Sequence, residues 1–107
     1  MTSQTQRRLR VLVVGDQHDT VMNLGILLRS EGIEVRTATG ARQVPAAVVQ
    51  FPPDIVLLDR AMPAPSGQAV TQAILKHCTG HAPVVHTIAK PIDPDAILKL
   101  VLSVTPK

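Results

Sequence analysis

The sequence predicts an α/β domain, a doubly wound parallel sheet with helices on both faces, and three features carry that expectation. Two short apolar runs, VLVV at 11–14 and IVLL at 55–58, show no polar alternation, which is how strands buried on both faces of a parallel sheet read. Stretches with apolar residues at helical spacing separate these runs, giving the alternation β-α-β-α-β-α-β-α. Both runs end on an acid, at Gly15-Asp16 and at Asp59. Ligands of open α/β sheets bind outside the carboxyl ends of the strands, so acids placed there are positioned for chemistry and not for packing.

Taken in order, residues 1–8 are polar and aperiodic and are expected to be a flexible segment ahead of a single domain over 9–107. The first strand covers 9–14. Asp19 or Thr20 can cap a helix whose Val21, Leu24, Leu27 and Leu28 share one face, and Gly32 supplies its left-handed stop. Gly25 inside this helix costs about 1 kcal/mol relative to Ala and marks close packing. Residues 34–39 alternate in polarity, as an edge strand does. The next helix runs over 44–50, with Pro45 in its first turn and Val48 and Phe51 turned inward. Pro52-Pro53 ends it and launches the central strand. Met62-Pro63 and Pro65-Ser66-Gly67 are loop punctuation. A third helix is expected over 66–79, with Ala69, Val70, Ala73 and Ile74 inside and Gly80 as its stop. Asp93-Pro94 caps a last helix striped by Ile97, Leu100, Val101 and Val104.

Composition narrows the function classes. A chain of 107 residues reads as one domain, and at this length roughly 60–70% of the extended surface is buried. Cys78, the single cysteine, cannot form an internal disulfide, and no leader or long apolar span marks export or a membrane, so a cytoplasmic protein is expected. Eleven Lys plus Arg against eight Asp plus Glu give a net charge of +3. Arg7, Arg8 and Arg10 cluster in the entry segment, without a basic helix or an aromatic platform. They read as a solvated tail, and direct nucleic-acid binding is not expected. Phe51 is the only aromatic residue, which leaves base stacking almost nothing to use. The spacings of His18, His77, His81 and His86 match no metal motif, so they read as surface or helix-end residues, with His86 partly buried in a strand. Cys78 has no visible base or partner thiol and reads as a small helix-end residue.

Asp59 within LLDRAMP, Lys90-Pro91, and an early strand running into Gly15-Asp16 together resemble the receiver domain of two-component response regulators, over about residues 10–104. The resemblance implies a flavodoxin-like receiver fold and a phosphoryl group accepted on Asp59 from a histidine kinase or phosphotransfer protein. It also implies Mg²⁺ on Asp16, Asp59 and the main-chain oxygen of Ala61, with Lys90 on the phosphoryl oxygens. Phosphoryl transfer to a carboxylate needs an accessible oxygen, a cation and an orienting donor, and these residues supply the three parts.

Two departures stand out. In APVVHTIAKP, residues 82–91, a segment like the family's fourth strand runs at once into one like its fifth. Parallel neighbours need a crossover of a dozen or more residues, so this segment must be one strand. The expectation is a shortened sheet of four strands in the order 2-1-3-4, with the family's fourth helix lost. Thr87 superficially matches the family's switch hydroxyl, but the preferred alignment sets it on the fifth-strand side, and on that alignment the switch hydroxyl is absent. The second departure is Gly15, which stands where the family usually carries the first of two adjacent acids.

A nucleophilic Asp after a strand also occurs in phosphatases of the haloacid dehalogenase type, but they need a second acid two residues later, where this chain has Ala61. No GxGxxG pattern follows Gly15, so a dinucleotide site is not expected either. The expected role is that of a signalling receiver and not of an enzyme. The competing expectation is a receiver-shaped module that no longer switches and acts by binding. Loss of one helix uncovers strand surface at Val84, Val85 or Ile88, which predicts a homodimer, or docking to a kinase or effector, through that face.

Overall fold

The computed structural model describes residues 8–59, 66–77, 83–89 and 93–104. Within them the order is β1 (Arg10–Val14), α1 (His18–Ser30), β2 (Glu34–Ala38), a 3-10 turn (Ala41–Gln43), α2 (Val44–Gln50), β3 (Ile55–Asp59), α3 (Ser66–His77), β4 (Val84–Ile88) and α4 (Pro94–Leu102). The four strands form one parallel sheet in the order β2-β1-β3-β4. The segment of merged character is one strand, as its missing crossover required, and it pairs with β3 from Ile55↔Val84 to Asp59↔Ile88.

Side chains leave the two faces of each strand alternately, and the core accordingly has two halves. Val11, Val13, Ile55, Leu57 and Ile88 pack under α1 and α4 with Val21, Leu24, Leu28, Ile97 and Val101. On the other face Leu12, Val14, Val56 and Leu58 meet Val44 and Val48 of α2 and Val70 and Ile74 of α3. β1 and β3 are central and almost entirely buried, which is why their sequences lack alternation.

Punctuation residues set the ends. Gly32 has φ +80 and closes α1, and the backbone N–H of Gly32 donates to the Arg29 carbonyl at 3.0 Å. A Cβ on Gly25 would lie 3.3 Å from Thr37 Cγ2, so that glycine does mark a close approach, between α1 and β2. Asp93 caps α4, its Oδ1 accepting from the N–H of Asp95 at 3.1 Å and of Ala96 at 3.5 Å.

Several expectations are corrected. The cap of α1 is Gln17, without a side-chain capping bond, so Asp19 and Thr20 lie inside the first turn, where the Thr20 hydroxyl donates to Gln17 Oε1 at 3.3 Å. Ala69 faces solvent. Ile88 is 6% exposed and belongs to the core with Ile97 and Val101 of α4, although Val84 and His86 on the same face of β4 stay exposed. It cannot serve as open interaction surface. His86, in contrast, is exposed and not partly buried.

Candidate functional site at the carboxyl end of the sheet

β3 carries four apolar residues and then Asp59, so burial of the strand fixes where that carboxylate emerges. Val14 pairs with Leu58, which puts Gly15 beside Asp59 at the next rung and Asp16 just beyond it. The Gly15 N–H donates to the Ala38 carbonyl at 3.1 Å, tying the end of β1 to β2 past the strand proper. Asp16 is exposed, whereas Asp59 is only 4% exposed.

Gly15 matters through the group it lacks. A Cβ there would sit 3.1 Å from Asp59 Cβ, 3.4 Å from Asp59 Oδ2 and 3.0 Å from Val21 Cγ2. The Asp59 side chain therefore lies across the end of β1, in space that any other residue at position 15 would contest. That brings the carboxylate toward the strand end that bears Asp16.

The donor set can be tested against a divalent cation on these terms. Among the described residues no group of three or more His, Cys, Asp or Glu gathers to hold a metal. Mg²⁺ is commonly bound through one or two carboxylates with waters completing its octahedron. Asp16 and Asp59, from adjacent strand ends, fit that requirement with one acid fewer than a paired-acid site would offer.

Ala61 and Lys90, expected to add a carbonyl oxygen and an ammonium, lie outside the described residues, as do Arg60, Met62, Cys78, His81 and Pro91. β4 ends at Ile88, directly opposite Asp59. Thr87 pairs with Leu58, one rung short of Asp59, and is exposed. Val84 is 46% exposed on the outer strand and Val85 is partly buried against the α2 and α3 side.

Sequence reasoning missed Asp54 at the opposite end of β3. It is 2% exposed, and its Oδ2 accepts the Arg10 backbone N–H at 2.9 Å. Main-chain bonds run alongside, from Asp54 N to the Arg10 carbonyl at 2.8 Å and from Val84 N to the Asp54 carbonyl at 3.0 Å. This acid joins β1, β3 and β4 and is structural. The one available signal was its position between Pro53 and a wholly apolar run.

Comparison with known proteins places this geometry. Residues 11–87 match the response regulator receiver domain family. The DNA-binding response regulator MtrA of Mycobacterium tuberculosis (strain ATCC 25618 / H37Rv) is 36% identical over 93 residues, covering 87% of this chain and 40% of that protein. Among solved structures, the signal receiver domain of a response regulator from Bermanella marisrubri superposes with a TM-score of 0.77 at 20% identity, covering 92% of this chain and 98% of that one. The receiver domain of Saccharomyces cerevisiae Ssk1, in co-crystal with the histidine phosphotransfer signaling protein Ypd1, gives a TM-score of 0.75 at 16% identity, covering 92% and 89%. The chain belongs to the response regulator receiver domain family. It spans 40% of the length of the curated relatives named first among its matches.

Proposed function

We propose that this chain is the receiver of a two-component phosphorelay and takes a phosphoryl group on Asp59 from a phosphohistidine of a histidine kinase or phosphotransfer protein. The observation that carries the reading is the placement of Asp59 at the carboxyl end of the central strand, with Gly15-Asp16 on the adjoining strand end. An Asp59 carboxylate oxygen attacks phosphorus, the phosphorus–nitrogen bond breaks, and the imidazole leaves with the electron pair, so an acyl phosphate forms on the chain. Asp16, Asp59 and the main-chain oxygen of Ala61 would hold Mg²⁺, which when bound offsets the negative charge brought together there. Lys90 orients the phosphoryl oxygens. In this reading the chain is a stoichiometric acceptor in the cytoplasm and not an enzyme with turnover. No helix among the described residues is long and apolar enough to cross a membrane.

Incubation with acetyl phosphate and Mg²⁺, read by intact mass, tests the proposal. The expected result is an adduct of one phosphoryl group on the parent and none on Asp59→Asn. Absence of the adduct under conditions that label an intact receiver would favour the second reading, a module that binds without switching. Two observations favour that reading: Asp59 is 4% exposed, and glycine occupies position 15.

The outer edge of β4 is the surface through which either version would associate. Val84 on that strand is 46% exposed and Leu102 at the end of α4 is 62% exposed, while Ile88 is withdrawn into the core. We propose a homodimer formed through this side. Light scattering should give twice the chain mass at micromolar concentration for the parent and the monomer mass for Val84→Lys. A parent that stays monomeric would exclude it.

A further inference from the structure

We propose that the opposite end of the sheet, remote from Asp59, carries a second binding site that takes the phosphoryl or pyrophosphoryl group of a small molecule. A pocket of about 340 Å³ wraps the outer edge of β2 there, lined by Arg8 ahead of β1, Arg29 at the end of α1, Glu34 and Arg36 of β2, and Phe51 after α2. Its volume lies within the few-hundred to one-thousand Å³ range of small-molecule sites. Arg29 and Arg36 are the lining arginines whose contacts fix their guanidinium groups, and an oxyanion is the ligand that two such groups suit.

The arginines are held and not merely present. The Arg29 guanidinium donates through Nη2 to the Val35 carbonyl at 3.0 Å, using one of its five N–H donors. Arg36 lies over the Phe51 ring at 5.5 Å from the centroid, and Arg10 lies over the same ring at 5.8 Å. A guanidinium resting on a ring keeps its donors in its own plane, in the fork that matches two phosphate oxygens.

The same geometry selects the ligand class. Among the described residues two arginines rest on Phe51, the chain's only Phe, Tyr or Trp, so a nucleobase is left little stacking platform and recognition rests on the oxyanion. Phosphoryl groups suit paired forks from opposite sides of the strand, Arg29 from the α1 side and Arg36 from the Phe51 side.

The test is a titration of the ¹⁵N-labelled chain with inorganic pyrophosphate, without Mg²⁺ and at constant ionic strength, followed by amide and arginine side-chain resonances. Saturable shifts are expected at Arg29, Glu34, Val35, Arg36 and Phe51, with Gly15 and Asp16 unmoved. Arg29→Gln and Arg36→Gln, each confirmed as folded by its own spectrum, should weaken binding roughly tenfold apiece, as the loss of one charge-assisted contact does. Shifts that never saturate, that centre on Gly15 and Asp16, or that survive both substitutions would overturn the site. Equal affinity for succinate would overturn the phosphoryl assignment. Tighter binding of a short DNA duplex at the same residues would replace the small molecule with a nucleic-acid backbone. Because position and ligand differ from those of Asp59, failure here leaves the acceptor proposal standing, and the reverse also holds.

Discussion

Leu57→Ala should lower the free energy of unfolding by about 3–5 kcal/mol, near the top of the range for buried leucines. Leu57 is fully buried on the central strand, between Val13 of β1 and His86 of β4, under α1 and α4. The strand is hydrogen-bonded on both sides, so its backbone cannot move inward to refill the space, and the cavity term is retained. Urea unfolding monitored by circular dichroism measures the change. Asp59 lies two residues further along the same strand, so its position depends on the packing that Leu57 supplies. The substitution should therefore also slow any labelling by acetyl phosphate, while a surface control such as Leu75→Ala, at a residue 62% exposed, leaves both stability and labelling near the parent values.

Asp54→Ala is expected to cost about 2–3 kcal/mol, because it removes a charged acceptor and leaves the buried Arg10 N–H without the partner it has at 2.9 Å. Asp54→Asn retains an acceptor oxygen in nearly the same volume and should cost less than half as much. Hydrogen exchange separates this local effect from general loosening. The Arg10 amide should exchange faster in Asp54→Ala at denaturant concentrations where the amides of Val13 and Leu57 remain protected. Equal acceleration at all three positions would show that Asp54 supports the whole sheet and not the meeting point of three strands.

The elements that the sequence made legible are those whose cause is local. VLVV and IVLL identify themselves because strands covered on both faces tolerate no polar position. Gly32 and Asp93 announce a helix end and a helix start through backbone and side-chain chemistry within a few residues. Asp59 and Asp16 were legible as a pair because a strand's last buried residue fixes where the next side chain emerges. The one-strand reading of residues 84–88 followed from the length of crossover that parallel pairing needs.

What escaped depends on register or on distant meetings. In VVHTI, Val84, His86 and Ile88 share one face of the outer strand, so alternation does not tell them apart, yet Ile88 is buried with α1 and α4 while Val84 and His86 stay exposed. Arg10, Arg36 and Phe51 come together from three separate elements, so no spacing in the chain foretells two arginines over one ring. Asp54 reads as part of a proline-rich connection, although folding makes it a buried acceptor. Asp19 and Thr20 are good capping types, yet α1 is capped two or three residues earlier, at Gln17.

The acids gathered at the carboxyl end of the sheet have a consequence for encounters in solution. Asp16, Asp19, Asp59, Asp93 and Asp95 follow the carboxyl ends of strands or open the helices after them, whereas at the other end Arg8, Arg10 and Arg29 are mixed with Glu31, Glu34 and Asp54. The separation is about one strand length, roughly 17 Å, which is longer than the screening distance of about 8 Å at physiological salt. Among the described residues the carboxyl end is therefore the more acidic of the two, while the other end is of mixed sign. A partner with a positive face is turned toward Asp59 while still diffusing, and the advantage fades as salt is added.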